Sequence, residues 1–175
     1  MNSFEHARKI FSNFPEEVFT LWLDGKIRDL GWPPQGSQWD RVMLYYPILY
    51  WRKLKWAQQV LPIQFDCLGP LSRKIVNGLM ETNVLNKRNR FTDSVKNTRE
   101  RFDAVFKTVI EKQQIPGTPV LLDDDGHYEI LDGEHRVSAM CAMRQFPEFK
   151  KYVPDEIRAW VGCLDPASRK LFGKE

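Results

Sequence analysis

The stretch PVLLDDDGHYEILDGEHRVSAMCAMR, residues 119–144, decides the fold. Residues 119–122 are apolar and β-friendly, Asp125-Gly126 makes a tight turn, and residues 127–131 return as a second strand. Asp-Gly between two apolar runs predicts a hairpin, because the primed turns need positive φ. Asp132-Gly133 then breaks the alternation, and Val137, Met140, Cys141 and Arg144 fall at helical spacing, so a helix opens at Glu134. A strand running through glycine into a helix leaves several backbone N–H groups unpaired and pointing one way, with the helix dipole behind them. Such a turn suits an anion.

The side chains around that glycine sharpen the expectation. Arg136 sits in the first helical turn, where a guanidinium can fork onto phosphate oxygens. Asp132, Glu134 and His135 add two carboxylates and an imidazole. Glu134 would repel a bare phosphate, so the pattern favours a nucleotide accompanied by a divalent cation such as Mg2+, held by Asp132 and Glu134. Glu134 can orient a water or take a proton from an attacking hydroxyl. His135 can donate to phosphate or line the pocket. A purely structural role stands beside each of these: Asp132 as the helix N-cap, Glu134 as a first-turn acid, Arg136 paired with Asp132 or Glu129.

The same residues carry a family resemblance. The run 128–139, YEILDGEHRVSA, resembles the signature of the ParB/sulfiredoxin superfamily, in which a strand ends in Gly-x-His/Arg-Arg and a helix rich in small residues follows. The ParB branch has Gly-Glu-Arg-Arg where this chain has Gly133-Glu134-His135-Arg136. Sulfiredoxins carry a reactive cysteine where Glu134 stands, which argues against sulfinic-acid repair. Upstream, a helix over 94–113 feeding Ile115-Pro116-Gly117-Thr118-Pro119-Val120 is similar to the family's helix and x-Pro-Val strand. The likeness spans about 86–144, roughly a third of the chain. It implies that Gly133, Glu134, His135, Arg136 and Ser138 bind the phosphates of ATP or another nucleoside triphosphate, with Asp132, Glu134, His135 and Arg136 as the catalytic set. Members hydrolyse nucleotides, phosphorylate small molecules such as free serine, cut nucleic acid, or bind DNA through added helical modules.

The remaining sequence bounds these possibilities. With 175 residues, 42% hydrophobic and 28% charged, the chain can bury a proper core, and one globular domain is expected. No apolar run approaches the ~20 residues of a membrane helix. The first residues show no secretory pattern. Three widely spaced cysteines, Cys67, Cys141 and Cys163, argue for a reducing cytoplasm and against a disulfide framework or a zinc site. A net charge of +3 only weakly suggests a polyanionic partner.

Residues 1–31 predict one or two short helices with an apolar face of Phe4, Ile10, Phe14, Val18, Phe19, Trp22 and Leu23. Between 39 and 61, Trp39, Tyr45, Tyr46, Tyr50, Trp51 and Trp56 alternate with Arg41, Arg52, Lys53 and Lys55. Such a run either packs its rings inward or stacks nucleobases. Residues 60–68 predict an outer or first strand, 71–80 a helix, 94–113 a helix, 157–161 a final strand, and Asp165-Pro166 a helix start. Between the two helices, Lys87, Arg88 and Arg90 form a basic loop, read either as solvated charge or as a nucleic-acid contact, in the region equivalent to the family's arginine box.

The expected fold is therefore α+β: a small mixed sheet with packed helices and a ParB/sulfiredoxin-like core. Residues 1–58 would be an aromatic-rich helical extension and 59–165 the core of a single domain. About 30 residues follow Arg144, too few for the family's DNA-binding and dimerisation regions. In size and layout the chain resembles the plasmid fertility-inhibition proteins of the Osa type. That likeness implies an ATPase with metal-dependent DNase activity, acting on DNA without strong sequence preference and engaging a protein of a DNA-transfer apparatus. The alternative is a non-enzymatic DNA- or protein-binding module, or a small-molecule kinase of the free-serine kind.

Overall fold

The computed structural model describes residues 2–89 and 97–174. In chain order it contains α1 (Ser3–Ile10), α2 (Glu16–Val18), a π-helical turn (Phe19–Asp24), α3 (Gly25–Leu30), α4 (Ser37–Val42), α5 (Ile48–Lys53) and β1 (Lys55–Leu61). A short 3-10 turn (Phe65–Cys67) leads to α6 (Pro70–Asn83), α7 (Thr98–Lys112), β2 (Val120–Asp124), β3 (His127–Asp132), α8 (Glu134–Gln145), α9 (Pro147–Lys150), β4 (Ile157–Cys163) and α10 (Pro166–Leu171). The strands form one mixed sheet in the order β1-β4-β2-β3. The architecture is α+β. Among the described residues no helix is long and apolar enough to cross a membrane.

Contacts group the chain into two compact units, residues 1–57 with 160–175, and residues 58–159. The C-terminal segment thus joins the N-terminal helices, a pairing of the two chain ends that no local pattern encodes. In the first unit half of the aromatic run turns inward, while Tyr45 stays exposed. Trp39, Tyr50 and Trp51 are buried, and Trp22 meets Trp51 at 4.6 Å between ring centroids. Asn13 donates from Nδ2 to the carbonyls of Trp51 and Leu54, both at 2.9 Å, fixing the end of α5. Arg52, Lys53 and Lys55 remain solvated. Tyr50 and Trp51 therefore have no ring face to offer a nucleobase, and of the two readings of this stretch the core one describes them.

The strand expected over 60–68 lies earlier, at Lys55–Leu61. Pro62 has no N–H to give the ladder, so pairing stops before it and the chain turns through Phe65–Cys67. β1 is first in sequence and outermost in the sheet, with most of its residues exposed. Helix α7 begins at Thr98; residues 94–96 of the expected helix lie outside the described residues.

The second unit positions the site. Asp125 and Gly126 adopt φ of 55° and 84°, both positive as a type I′ turn demands, and Gly126 N–H donates to Asp123 Oδ1 at 3.0 Å. Val120 pairs with Asp132 but Leu121 with Ile130, so Leu131 is an extra residue in β3. This bulge shifts Asp132 by one position relative to Ile130 just before the chain leaves the sheet. Gly133 follows at φ 104°, and α8 starts. Every residue from Val137 to Met143 is buried, because α8 packs against both α6 and α7. The small residues Ser138, Ala139 and Ala142 let those helices approach.

Candidate functional site: the glycine-loop cleft

Helix α8 opens without a side-chain cap, since its N-cap position is Gly133. Asp132 is therefore not the N-cap that its type would suit. Its carboxylate instead pairs with the guanidinium of Arg136 one turn on. Arg136 also donates from Nη1 to the Pro116 carbonyl at 3.3 Å. Of the structural alternatives for Arg136, the pair with Asp132 is the one formed, and Glu129 is engaged elsewhere.

Asp132, Gly133, Glu134, His135 and Arg136 line one face of a cleft of about 330 Å³, and Arg101, Ala104 and Val105 of α7 line the other. Five of the residues singled out from the sequence thus share one cavity. Arg101 reads from the sequence only as part of the polar side of its helix. Its i, i+3 spacing to Ala104 was the available signal: a long cation one turn before a small residue, beside the buried stripe of Phe102 and Val105.

Two guanidinium groups and partial burial set the state of His135. Burial, then the charges of Arg101 and Arg136, push its pKa below the ordinary 6.5, so the imidazole is neutral at pH 7. Its Nε2 is shielded from solvent and meets no hydrogen-bond partner among the described residues. A neutral ring with an unsatisfied nitrogen can accept a proton or donate one to a ligand, depending on tautomer.

The other candidates lie apart from this cleft lining. Ser138 is fully buried and donates from Oγ to the Val76 carbonyl of α6 at 3.3 Å, a helix-packing bond rather than a phosphate contact. Lys87 and Arg88 are exposed beyond α6, and Arg90 lies outside the described residues. Among the described residues no group of three or more His, Cys, Asp or Glu side chains is placed to hold a metal ion.

A buried network below the site has no counterpart in the sequence reading. Glu129 of β3 is 7% exposed and accepts from Leu71 N (3.2 Å), Ser72 N (2.8 Å) and Ser72 Oγ (2.5 Å) at the start of α6. Ser72 Oγ in turn accepts from Ile130 N at 2.7 Å. Glu129 thus caps α6 from another element, supplying the acceptor that Gly69 at the N-cap position lacks. Gly69 is required there: a Cβ would lie 2.2 Å from Glu129 Oε1.

No protein-family model matches the sequence, and comparison with curated proteins and with solved structures yields no match to either.

Proposed function

We propose that the chain is a ParB/sulfiredoxin-like protein that binds a nucleoside triphosphate, ATP being the first to test, with its phosphates in the Gly133 cleft. One observation carries this reading. The uncapped N-terminus of a buried twelve-residue helix opens into a cavity whose opposite wall carries the exposed guanidinium of Arg101. The N–H groups of the first helical turn have no acceptor within the helix, and the dipole adds to their pull on an anion. Arg101 supplies a full positive charge, and His135 a neutral ring with an unsatisfied nitrogen, so it offers hydrogen bonding without a further desolvated charge.

Asp132 pairs with Arg136, and Glu134 is the second carboxylate lining the cleft wall. The residues present fit Mg2+ only as an ion arriving with the nucleotide, which Glu134 would help to hold and which would neutralise phosphate charge. In turnover Glu134 orients the attacking water, with His135 beside it. Beyond the cleft, the reading of an ATPase and DNase that blocks conjugative DNA transfer rests on the family likeness, with Lys87 and Arg88 as the exposed candidates for DNA contact. The non-enzymatic module and the small-molecule kinase differ from it in turnover and acceptor.

Calorimetry with ATP, with and without Mg2+, together with phosphate release, tests the proposal. Glu134→Gln should keep binding and lower turnover by about 10²-fold or more. Binding without turnover in the wild type would point to the non-enzymatic module, and absence of binding would remove the nucleotide reading.

A further inference from the structure

We propose that Asp132 is a positioning residue: its carboxylate, with the Pro116 carbonyl, holds the Arg136 guanidinium across two glycine turns so that it presents a fixed donor edge to the cleft. The inference rests on the phosphate-binding reading and differs from assigning Asp132 to a metal.

Three observations meet at this guanidinium. Its Nη2 is paired with Asp132, the residue that the β3 bulge places just ahead of Gly133. Its Nη1 reaches Pro116, in the connection from α7 to β2, at 3.3 Å. Both neighbouring turns are glycines whose missing side chains make the room. A Cβ on Gly117, at φ 68°, would lie 2.8 Å from Arg136 Nη1, and one on Gly133 would lie 3.1 Å from Nε. The side chain of Arg136 is only 18% exposed, so its rotamers are settled by what surrounds it. Arginine offers five donors in a rigid plane, and two directed acceptors leave the remaining N–H groups in a defined orientation. A guanidinium oriented in advance has lost its rotamer freedom before the ligand arrives, which raises affinity for a planar or tetrahedral oxyanion.

The sign of one substitution separates this from other roles. A carboxylate beside a bound polyanion repels it, so by charge alone Asp132→Asn should tighten binding. If Asp132 acts through Arg136, the same substitution weakens binding, in the absence of any metal. The probe is tripolyphosphate in EDTA, titrated calorimetrically into the wild type, Asp132→Asn, Arg136→Gln, the double variant and Gly117→Ala. We expect Asp132→Asn to weaken binding by roughly tenfold, about the value of one directed charge-assisted contact, and to cause no further weakening in the Arg136→Gln background, where only the relief of charge repulsion remains. Gly117→Ala, which displaces the guanidinium without touching Asp132, should weaken binding in the same direction. The Arg136 Nη N–H resonances, expected to be sharp in the wild type because Nη1 and Nη2 are both bonded, should broaden in Asp132→Asn whether or not ligand is present. Unchanged or tighter binding by Asp132→Asn, a loss seen only when Mg2+ is added, or additive effects of the two substitutions would each overturn the positioning role while leaving the phosphate site in place. Failure of the wild type to bind tripolyphosphate or ATP would overturn the phosphate reading itself, and the positioning role with it.

Discussion

Replacing Glu129 by alanine should destabilise the protein more than any substitution of the cleft's exposed charges. The carboxylate accepts from two backbone N–H groups and one hydroxyl. Leu71 lies at the surface, so water can satisfy its N–H after the substitution, whereas Ser72 is 1% exposed and its N–H would be left buried and unpaired. One orphaned buried donor costs about 1–3 kcal/mol, and each bond lost to a charged acceptor about 1.5–3 kcal/mol where water does not replace it. These costs overlap, and the net loss should be about 3 kcal/mol. For a chain of this size that lowers Tm by about 6–12 °C. Glu129→Gln should recover part of it, because the amide oxygen can still accept one bond while its NH2 faces a donor. Thermal unfolding followed by circular dichroism, with urea titration as an independent measure, reads the effect. A loss below about 1 kcal/mol for Glu129→Ala would refute the view that this carboxylate caps α6 and ties β3 to it.

Gly69→Ala should cause a comparable loss, since its Cβ would displace Glu129, and the two substitutions together should cost little more than either alone; additive urea midpoints would contradict a shared network. Stability should also depend on His135. Its folded pKa is below the unfolded 6.5, so the unfolded chain binds the proton more readily, and stability is lost as pH falls from above 6.5 through the folded pKa. The drop in Tm between pH 7.5 and 5 should shrink in His135→Gln, and an unchanged drop would count against a buried neutral imidazole.

Local pattern carries far in this chain. Asp125-Gly126 specifies the hairpin turn because few residues tolerate two positive φ values in succession, and Gly133 marks the entry to α8 for the same reason. The apolar spacing of 71–80 and 94–113 locates the helices observed at Pro70–Asn83 and Thr98–Lys112. The Gly133 loop was legible as a cavity-lining set because its residues are consecutive. Arg101 was not, since its approach to His135 depends on how α7 lies against α8. The partner of Glu129 lies 58 residues away in sequence, at Leu71, and no periodicity announces such a bond. The aromatic run was ambiguous for a different reason: rings alternating with bases satisfy both a helix with a buried face and a stacking surface, and only packing separates the two. The early placement of β1 shows Pro62 overriding a run of β-favouring side chains.

The account's central claim, that nucleotide phosphates sit at the start of α8, is tested most directly by 1H–15N NMR of the labelled protein titrated with ATP and Mg2+. The prediction is that the amides of Gly133, Glu134 and His135 and the side chain of Arg101 shift progressively and saturate together, with Lys87 and Arg88 unmoved by the nucleotide alone. Saturating shifts confined to other residues, or none at all at millimolar ATP, would contradict it.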